Sequence, residues 1–347
     1  MLKRKWLPIA MSVILGAALA GCGSSTDGKK TEAGGSETQT DKKTYKIAIS
    51  QIVEHPSLDA TREGFLAALK DAGLSEGDNL KVDYKNAQGD QATNLSIAQT
   101  IASNKEDLVF TIATGSTQAV VKQVKDKPIV FASVTDPVDA KIVSNLEKPG
   151  GNVTGVSDTN PAAVQRLTDF IAKYFPNVKT VGLVINEGEP NAEVMAKNAE
   201  ELFGKHNIKL VRAAVTNTSE VKQAAQSLVG RSDAFFTTLD NTVVSGVDSI
   251  IQVANQNHIP FFSSDYDTVE KGAFATVGFK YFDHGYEAGK IAVDILKNGK
   301  NPADIPIKMQ EKLDVVLNLK AAEAQGVTVT DEMKNEVQDK DNYILNK

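Results

Sequence analysis

Two stretches of the chain share one pattern, and that repeat restricts the fold more than any other feature. The first is Asp107-Leu-Val-Phe-Thr-Ile-Ala-Thr-Gly-Ser-Thr117, the second Asp233-Ala-Phe-Phe-Thr-Thr-Leu-Asp-Asn-Thr242. Each runs from an acidic residue through a short apolar, β-branched segment into small polar residues. A helical segment follows each, then a second apolar strand: Pro128-Ile-Val-Phe-Ala-Ser133 and Ile259-Pro-Phe-Phe-Ser-Ser264. Those strands end near Asp136 and Asp265. Strand, polar tip, helix, strand, polar tip, written twice, predicts two similar α/β lobes. Polar groups at strand ends are where open parallel sheets bind ligands.

The chain has 347 residues, enough for two domains of ordinary size. Its net charge of −6 argues against a nucleic-acid partner, because binding to phosphates needs a basic surface. The one cysteine, Cys22, rules out a disulfide framework and a thiolate metal site. The four histidines, His55, His206, His258 and His284, are scattered and form no HxxxH or HExxH pair, so no metal site is expected. No cofactor is expected either, because no GxGxxG or P-loop pattern follows a strand.

The first 21 residues read as a signal segment: Lys3-Arg4-Lys5, then a mostly apolar core from Trp6 to Leu19. That core is shorter than the roughly 20 residues of a spanning helix. Leu19-Ala-Gly-Cys22 follows, with small residues suited to a signal peptidase. Residues 22–43 are mostly Gly, Ser, Thr, Lys and Glu without an apolar period, the composition of a flexible tether. Trp6 is the only tryptophan, so a processed chain contains none.

From Tyr45 onward strands and helices alternate, which predicts parallel sheets with right-handed crossovers. The expected fold is α/β, two doubly wound parallel-sheet lobes joined by three segments. The first lobe covers 44–156 with 283–310, and the second covers 157–282 with 311–330. The turn-rich passage Lys148-Pro-Gly-Gly-Asn-Val-Thr-Gly-Val-Ser157 is taken as the first crossing, and 331–347 as a polar tail.

If the lobes face each other, the strand tips converge on one cleft. The first lobe brings Gln51, Glu54, Gln88, Thr114, Ser116, Thr117, Thr135 and Asp136; the second brings Asn186, Asp240, Asn241, Thr242 and Asp265. The set is rich in hydroxyls, amides and carboxylates. A serine nucleophile lacks a general base, since only His55 lies at a tip and no GxSxG elbow exists. Two acidic tips are weak grounds for a glycosidase, so the reading is binding, not catalysis. Ser116 and Thr117 precede a helix; they either hold a ligand carboxylate with its free N–H groups or cap that helix. Asp240 and Asp265 either accept bonds from an ammonium group or serve as N-cap and turn residues. Held between these ends, the ligand is a zwitterion such as an amino acid. His55 is taken as a loop residue. A sugar or nucleoside is the alternative ligand, with Phe131, Phe236, Phe262 or Tyr266 as stacking rings; a sensor for a membrane receptor is the alternative role.

Ile49-Ser-Gln-Ile-Val-Glu-His-Pro56, Asn86-Ala-Gln-Gly-Asp90, Val134-Thr-Asp-Pro137, Val215-Thr-Asn-Thr-Ser-Glu220, Asp240-Asn-Thr242 and Val316-Leu-Asn-Leu-Lys320 occur in order between Tyr45 and Gly326. With the Lys148–Asp158 passage they resemble the ABC-transporter substrate-binding lipoproteins of the tryptophan/aromatic amino-acid type. The resemblance implies a type I periplasmic-binding fold with a three-segment hinge and a ligand trapped in the cleft. It implies an aromatic or apolar amino-acid ligand, and a membrane permease with its ATPase as partners. Leu-Ala-Gly-Cys22 resembles the lipobox, which implies a lipid on Cys22 and an extracytoplasmic, membrane-anchored protein. The chain departs from relatives at Thr114-Gly-Ser-Thr117 and Asn186-Glu-Gly-Glu-Pro190, which bears on the side-chain pocket.

Overall fold

A computed structural model of the chain describes residues 43–346. The signal segment, Cys22 and the tether up to residue 42 lie outside the described residues. The first lobe opens with β1 (Tyr45–Gln51), α1 (Pro56–Asp71), β2 (Leu80–Asn86), α2 (Gln91–Ser103), β3 (Leu108–Ile112), α3 (Thr114–Gln123), β4 (Ile129–Val134) and β5 (Val153–Ser157). The second opens with α4 (Pro161–Tyr174), β6 (Thr180–Ile185), α5 (Pro190–Lys205), β7 (Lys209–Ala214), α6 (Val221–Leu228) and β8 (Ala234–Thr237). It continues with α7 (Asn241–Ser245), α8 (Val247–Asn257), β9 (Phe261–Ser263), α9 (Tyr266–Lys271) and β10 (Ala275–Gly278). Then follow α10 (Tyr281–Asn298), β11 (Lys308–Met309), β12 (Asp314–Asn318), α11 (Leu319–Ala324), α12 (Asp331–Asn335), α13 (Lys340–Tyr343) and β13 (Ile344–Leu345).

Among the described residues the strands form two sheets, ordered β11-β5-β4-β3-β1-β2 and β13-β12-β10-β9-β8-β6-β7. The first five strands of each lobe take the same places: second, first, third, fourth, fifth. The repeat in the sequence is therefore a repeat of topology, with β3 matching β8 and β4 matching β9. Their apolar residues are fully buried because helices cover both faces, so the strands read as continuous apolar runs. In each sheet the strand order reverses beside the first strand, the crevice where open α/β sheets take ligands.

The chain passes between sheets after β5, after β10 and after β11. Neighbouring crossings are tied together: Asn160 Nδ2 donates to the Gln310 carbonyl at 3.0 Å, and the Tyr281 hydroxyl to Asp158 Oδ2 at 3.3 Å. Helix α10 returns to the first lobe and lies backbone-close against α1. A Cβ on Gly285 would sit 1.9 Å from the Thr61 carbonyl oxygen, and one on Gly64 1.9 Å from that of Phe282. Only glycine permits this approach.

Three elements differ from the sequence expectation. The passage taken as a turn-rich crossing contains β5, a fully buried strand. Its Gly155 is there for space, since a Cβ would meet the Phe131 carbonyl oxygen at 2.2 Å. The helical segment expected after the second repeated stretch is two helices, α7 and α8, broken at Gly246. Residues 331–347, taken as a tail, include α12, α13 and β13, with β13 pairing β12. Met333, Val337 and Leu345 anchor this polar segment in the core, and Asp314 accepts hydrogen bonds from the Gln338 and Asp339 amides.

Candidate functional site

The carboxyl ends of the strands meet around a cavity of about 20 Å³ between the lobes. From the first lobe, the β1–α1 connection supplies His55 and Ser57, and the end of β4 supplies Ser133 and Thr135. From the second, α5 and α7 supply Asn191 and Asn241, and the end of β9 supplies Asp265. Asp158 and Tyr281, on two of the crossings, complete the polar lining; Leu58, Leu239 and Val244 are its aliphatic walls. No lysine or arginine lines it. A space this small holds about one water, so an amino acid enters only as the lining side chains move outward.

The first turn of α1 borders this cavity. His55 is its N-cap residue but makes no side-chain capping bond, and Ser57 and Leu58 carry the first helix N–H groups. Ser57 Oγ donates across the lobes to Asp265 Oδ1 at 2.9 Å, a bond to a buried carboxylate that also accepts from Thr268 N and Ser263 Oγ. Asp265 is thus N-cap of α9 and cavity wall at once. Burial pushes the Asp158 carboxyl up to about 6, against the pull of hydrogen bonds from Tyr281 and Thr135. Asp267, next to the site, is raised by burial and then by the Asp265 charge to about 8. Burial holds His55 below the ordinary histidine range, although Asp265 opposes the shift.

Ser133 has φ 57°, the left-handed region that a serine occupies at a cost. His284 of α10, fully buried and pushed by burial to about 3, accepts the Ser133 N–H at Nε2 over 2.9 Å. Thr61 Oγ1 lies 3.1 Å from Ser133 Oγ. The strained residue is therefore held from two sides beside the cavity.

A wider cleft of about 550 Å³ adjoins, sharing Asn191 and Asn241 with the cavity. Ile52, Gly115 and Ala119 line it from one lobe, Asn186 and Thr242 from the other.

Of the sequence candidates, Thr135, Asn241 and Asp265 line the cavity, and Gln88, Asn186, Asn241 and Thr242 the wider cleft. The others are placed elsewhere. Asp240 is fully buried and spent on structure: Oδ1 accepts from Val243 N, capping α7, and Oδ2 from Asn186 N. Burial and the Glu189 charge raise its carboxyl well above the usual range. Thr117 Oγ1 turns inward to Thr111 and the Ala113 carbonyl, and Ser116 Oγ donates to Asn94 Oδ1 at 3.4 Å. Thr114 is buried with its hydroxyl unpartnered, and none of the three lines either space. Gln51 is locked between Val53, Asp59 and Arg62. Glu54 is exposed and accepts from the Tyr84 hydroxyl; Asp136 holds a turn by accepting from Val138 N and Asp139 N.

Sequence reasoning set His55 aside as a loop residue, and it lines the cavity. It also missed Ser57, Ser133, Asp158, Asn191 and Tyr281. A signal for Asp158 was present: it directly follows the passage taken as a crossing, and crossings border the cleft. Ser133 carried no such signal, because its exposure to the cavity follows from a left-handed backbone in a strand read as regular.

The sequence pattern of the ABC transporter substrate binding protein family matches residues 46–340. A tyrosine-binding protein of Clostridioides difficile (strain R20291) is 39% identical over 330 residues, 94% of either chain. A structure from Streptococcus pneumonia described as an ABC domain in complex with L-Trp is 33% identical, with a TM-score of 0.80 over 85% of this chain and 99% of the other. The ligand-free, open structure of a substrate binding protein with adhesive properties from Clostridium difficile is 38% identical, covers 87% and 98%, and scores 0.63. The lobes are thus arranged more as in the L-Trp complex than as in the open protein, despite lower identity to the former, and the Ser57–Asp265 bond links them in this arrangement. With this fold, of the type I periplasmic-binding kind, the chain belongs to the ABC transporter substrate binding protein family and is the solute-binding component of such a transporter.

Proposed function

We propose that the protein captures an aromatic L-amino acid in the cavity between its lobes. The observation that carries this reading is the pairing of two buried carboxylates, Asp158 and Asp265, with the uncapped N-terminus of α1, in a lining without lysine or arginine. The α-ammonium belongs beside the carboxylates, as a charge-assisted donor. The α-carboxylate belongs on the Ser57 and Leu58 N–H groups, where the helix dipole favours an anion. These ends of a zwitterion are one carbon apart, so donors and acceptors must stand side by side, as they do around this cavity. Leu58, Leu239 and Val244 offer the side chain an apolar surface. The relatives named for tyrosine and crystallised with L-Trp support an aromatic side chain.

A thermal-shift screen of the common amino acids and a panel of sugars tests this. Tyrosine, tryptophan or phenylalanine should raise the melting temperature by several degrees, as mass action requires of a ligand well above its Kd. A shift with a sugar and none with an amino acid would reverse the assignment.

The amino-terminal segment supports a lipid anchor on Cys22, and with it an extracytoplasmic site of action at the membrane, delivering ligand to a permease and its ATPase. A diacylglyceryl group with two chains anchors durably where a single chain does not. Cells fed a fatty-acid analogue should label the wild type and not Cys22→Ala; label on the variant would refute the anchor.

A further inference from the structure

We infer that His55 is a ligand contact, its Nδ1 preset as a hydrogen-bond acceptor for the α-ammonium by a relay that reaches it from the opposite lobe. The inference rests on the amino-acid reading above and deepens it.

The relay starts at Glu189. Its carboxylate lies against the start of α7, where Oε2 accepts from Asn241 N at 3.0 Å and Asn241 Nδ2 at 2.7 Å. Oε1 accepts from Thr242 N at 2.8 Å and Thr242 Oγ1 at 2.6 Å. A carboxylate only accepts, so the Asn241 amide must present Nδ2 to Glu189. That turns Asn241 Oδ1 toward His55, whose Nε2 is 3.4 Å away. An amide oxygen only accepts, so Nε2 carries the proton. In a neutral imidazole the other nitrogen is then a lone-pair acceptor.

That nitrogen is the second, independent observation. His55 Nδ1 is buried and has no partner among the described residues, and His55 lines the cavity. Most buried polar atoms in folded proteins are paired, so a buried nitrogen without a partner on a residue that lines the cavity calls for a partner from outside the chain. An α-ammonium has three N–H groups to place. Asp158, Asp265 and His55, from a crossing, the second lobe and the first lobe, all line this one small cavity, and each carries an acceptor. The His55–Asn241 contact spans the lobes, so the acceptor is set only when they close. An open cleft leaves the imidazole free to take the other tautomer.

The test is calorimetric titration of the purified protein with L-tyrosine, L-phenylalanine and L-tryptophan, for the wild type, His55→Leu and His55→Asn. The asparagine oxygen stands where Nδ1 stood; leucine removes the acceptor. His55→Leu should lose at least about tenfold in affinity, to a similar extent for every one of the three that binds the wild type. His55→Asn should stay within about threefold of wild type, which also shows that a loss in His55→Leu is not misfolding. Nitrogen-15 spectra of the ligand-saturated wild type should show His55 neutral and protonated at Nε2. Affinity within twofold in His55→Leu, a loss confined to tyrosine (a contact with its side-chain hydroxyl), an equal loss in both variants, or a proton on Nδ1 would each overturn the inference. Failure of all three ligands to bind the wild type overturns the aromatic amino-acid reading, and the inference falls with it.

Discussion

Ser57 and Asp265 meet from opposite lobes in a hydrogen bond of 2.9 Å. A hydrogen bond to a charged group contributes about 1.5–3 kcal/mol. Ser57→Ala should therefore weaken ligand binding about tenfold or more while barely changing thermal stability in the open, ligand-free state; calorimetry with a melting curve separates the two. Asp240 is the contrasting case. It stands in the same context as Asp265, a strand tip before a helix, yet it caps α7 and ties down Asn186 without lining the cavity or the cleft. Asp240→Ala should cost stability, about 1–2 kcal/mol for the lost cap alone, seen as a lower denaturation midpoint. The sequence made the two aspartates look alike because a strand-tip carboxylate that caps a helix and one that also faces a ligand have the same neighbours. What separates them is which side of the second lobe faces the first, and that is set by the crossings, not by local pattern. The same holds for Ser116 and Thr117, whose hydroxyls turn into the protein.

Among the elements, the pair α1 and α10 carries most of the geometry of the site. Helix α1 brings its uncapped N-terminus to the cavity; α10 brings Tyr281 and, through His284, the backbone of Ser133. Gly64, Gly285 and Gly289 let the two helices touch backbone to backbone. Gly285→Ala places a methyl where the Thr61 carbonyl oxygen is, and must push the helices apart. Overpacking of this kind costs about 1–3 kcal/mol, so the melting temperature should fall by several degrees. Ligand affinity should fall too, since Ser57 and Tyr281 move relative to each other. An unchanged melting curve would mean that the helices can slide at no cost. The helical period of both segments is legible in the sequence, whereas the return of the last long helix to the first lobe follows only from analogy with two-lobe folds. Strand β5 was not, because its Gly155 and the preceding Pro-Gly-Gly read as a turn.

Across the whole molecule, the repeated stretches proved to be equivalent third strands in two lobes of one topology, which is why the fold was legible from the sequence. The cavity was less so, because residues from both lobes and two crossings build it. Closure also makes binding pH-dependent. Asp158 holds its proton up to about pH 6, against an ordinary value of 3.8. The folded protein therefore binds more protons than the unfolded chain between those values, and ligand-free stability falls as pH rises through that window. An ammonium beside Asp158 favours the carboxylate, so binding below about pH 6 releases a proton. Affinity should rise from pH 5 to 7, by up to about tenfold per unit below 6, and level off above. Asp158→Asn should flatten the profile, as titrations in buffers of different ionisation enthalpy would reveal. The most direct test of the central claim is a calorimetric titration of the purified protein with L-tyrosine beside its deaminated analogue, 3-(4-hydroxyphenyl)propionate. The account predicts micromolar or tighter binding of L-tyrosine, about −8 kcal/mol or better, and at least a hundredfold weaker binding of the analogue. Equal affinity for the two would contradict it, because the buried carboxylates of Asp158 and Asp265 would then have no ammonium to hold.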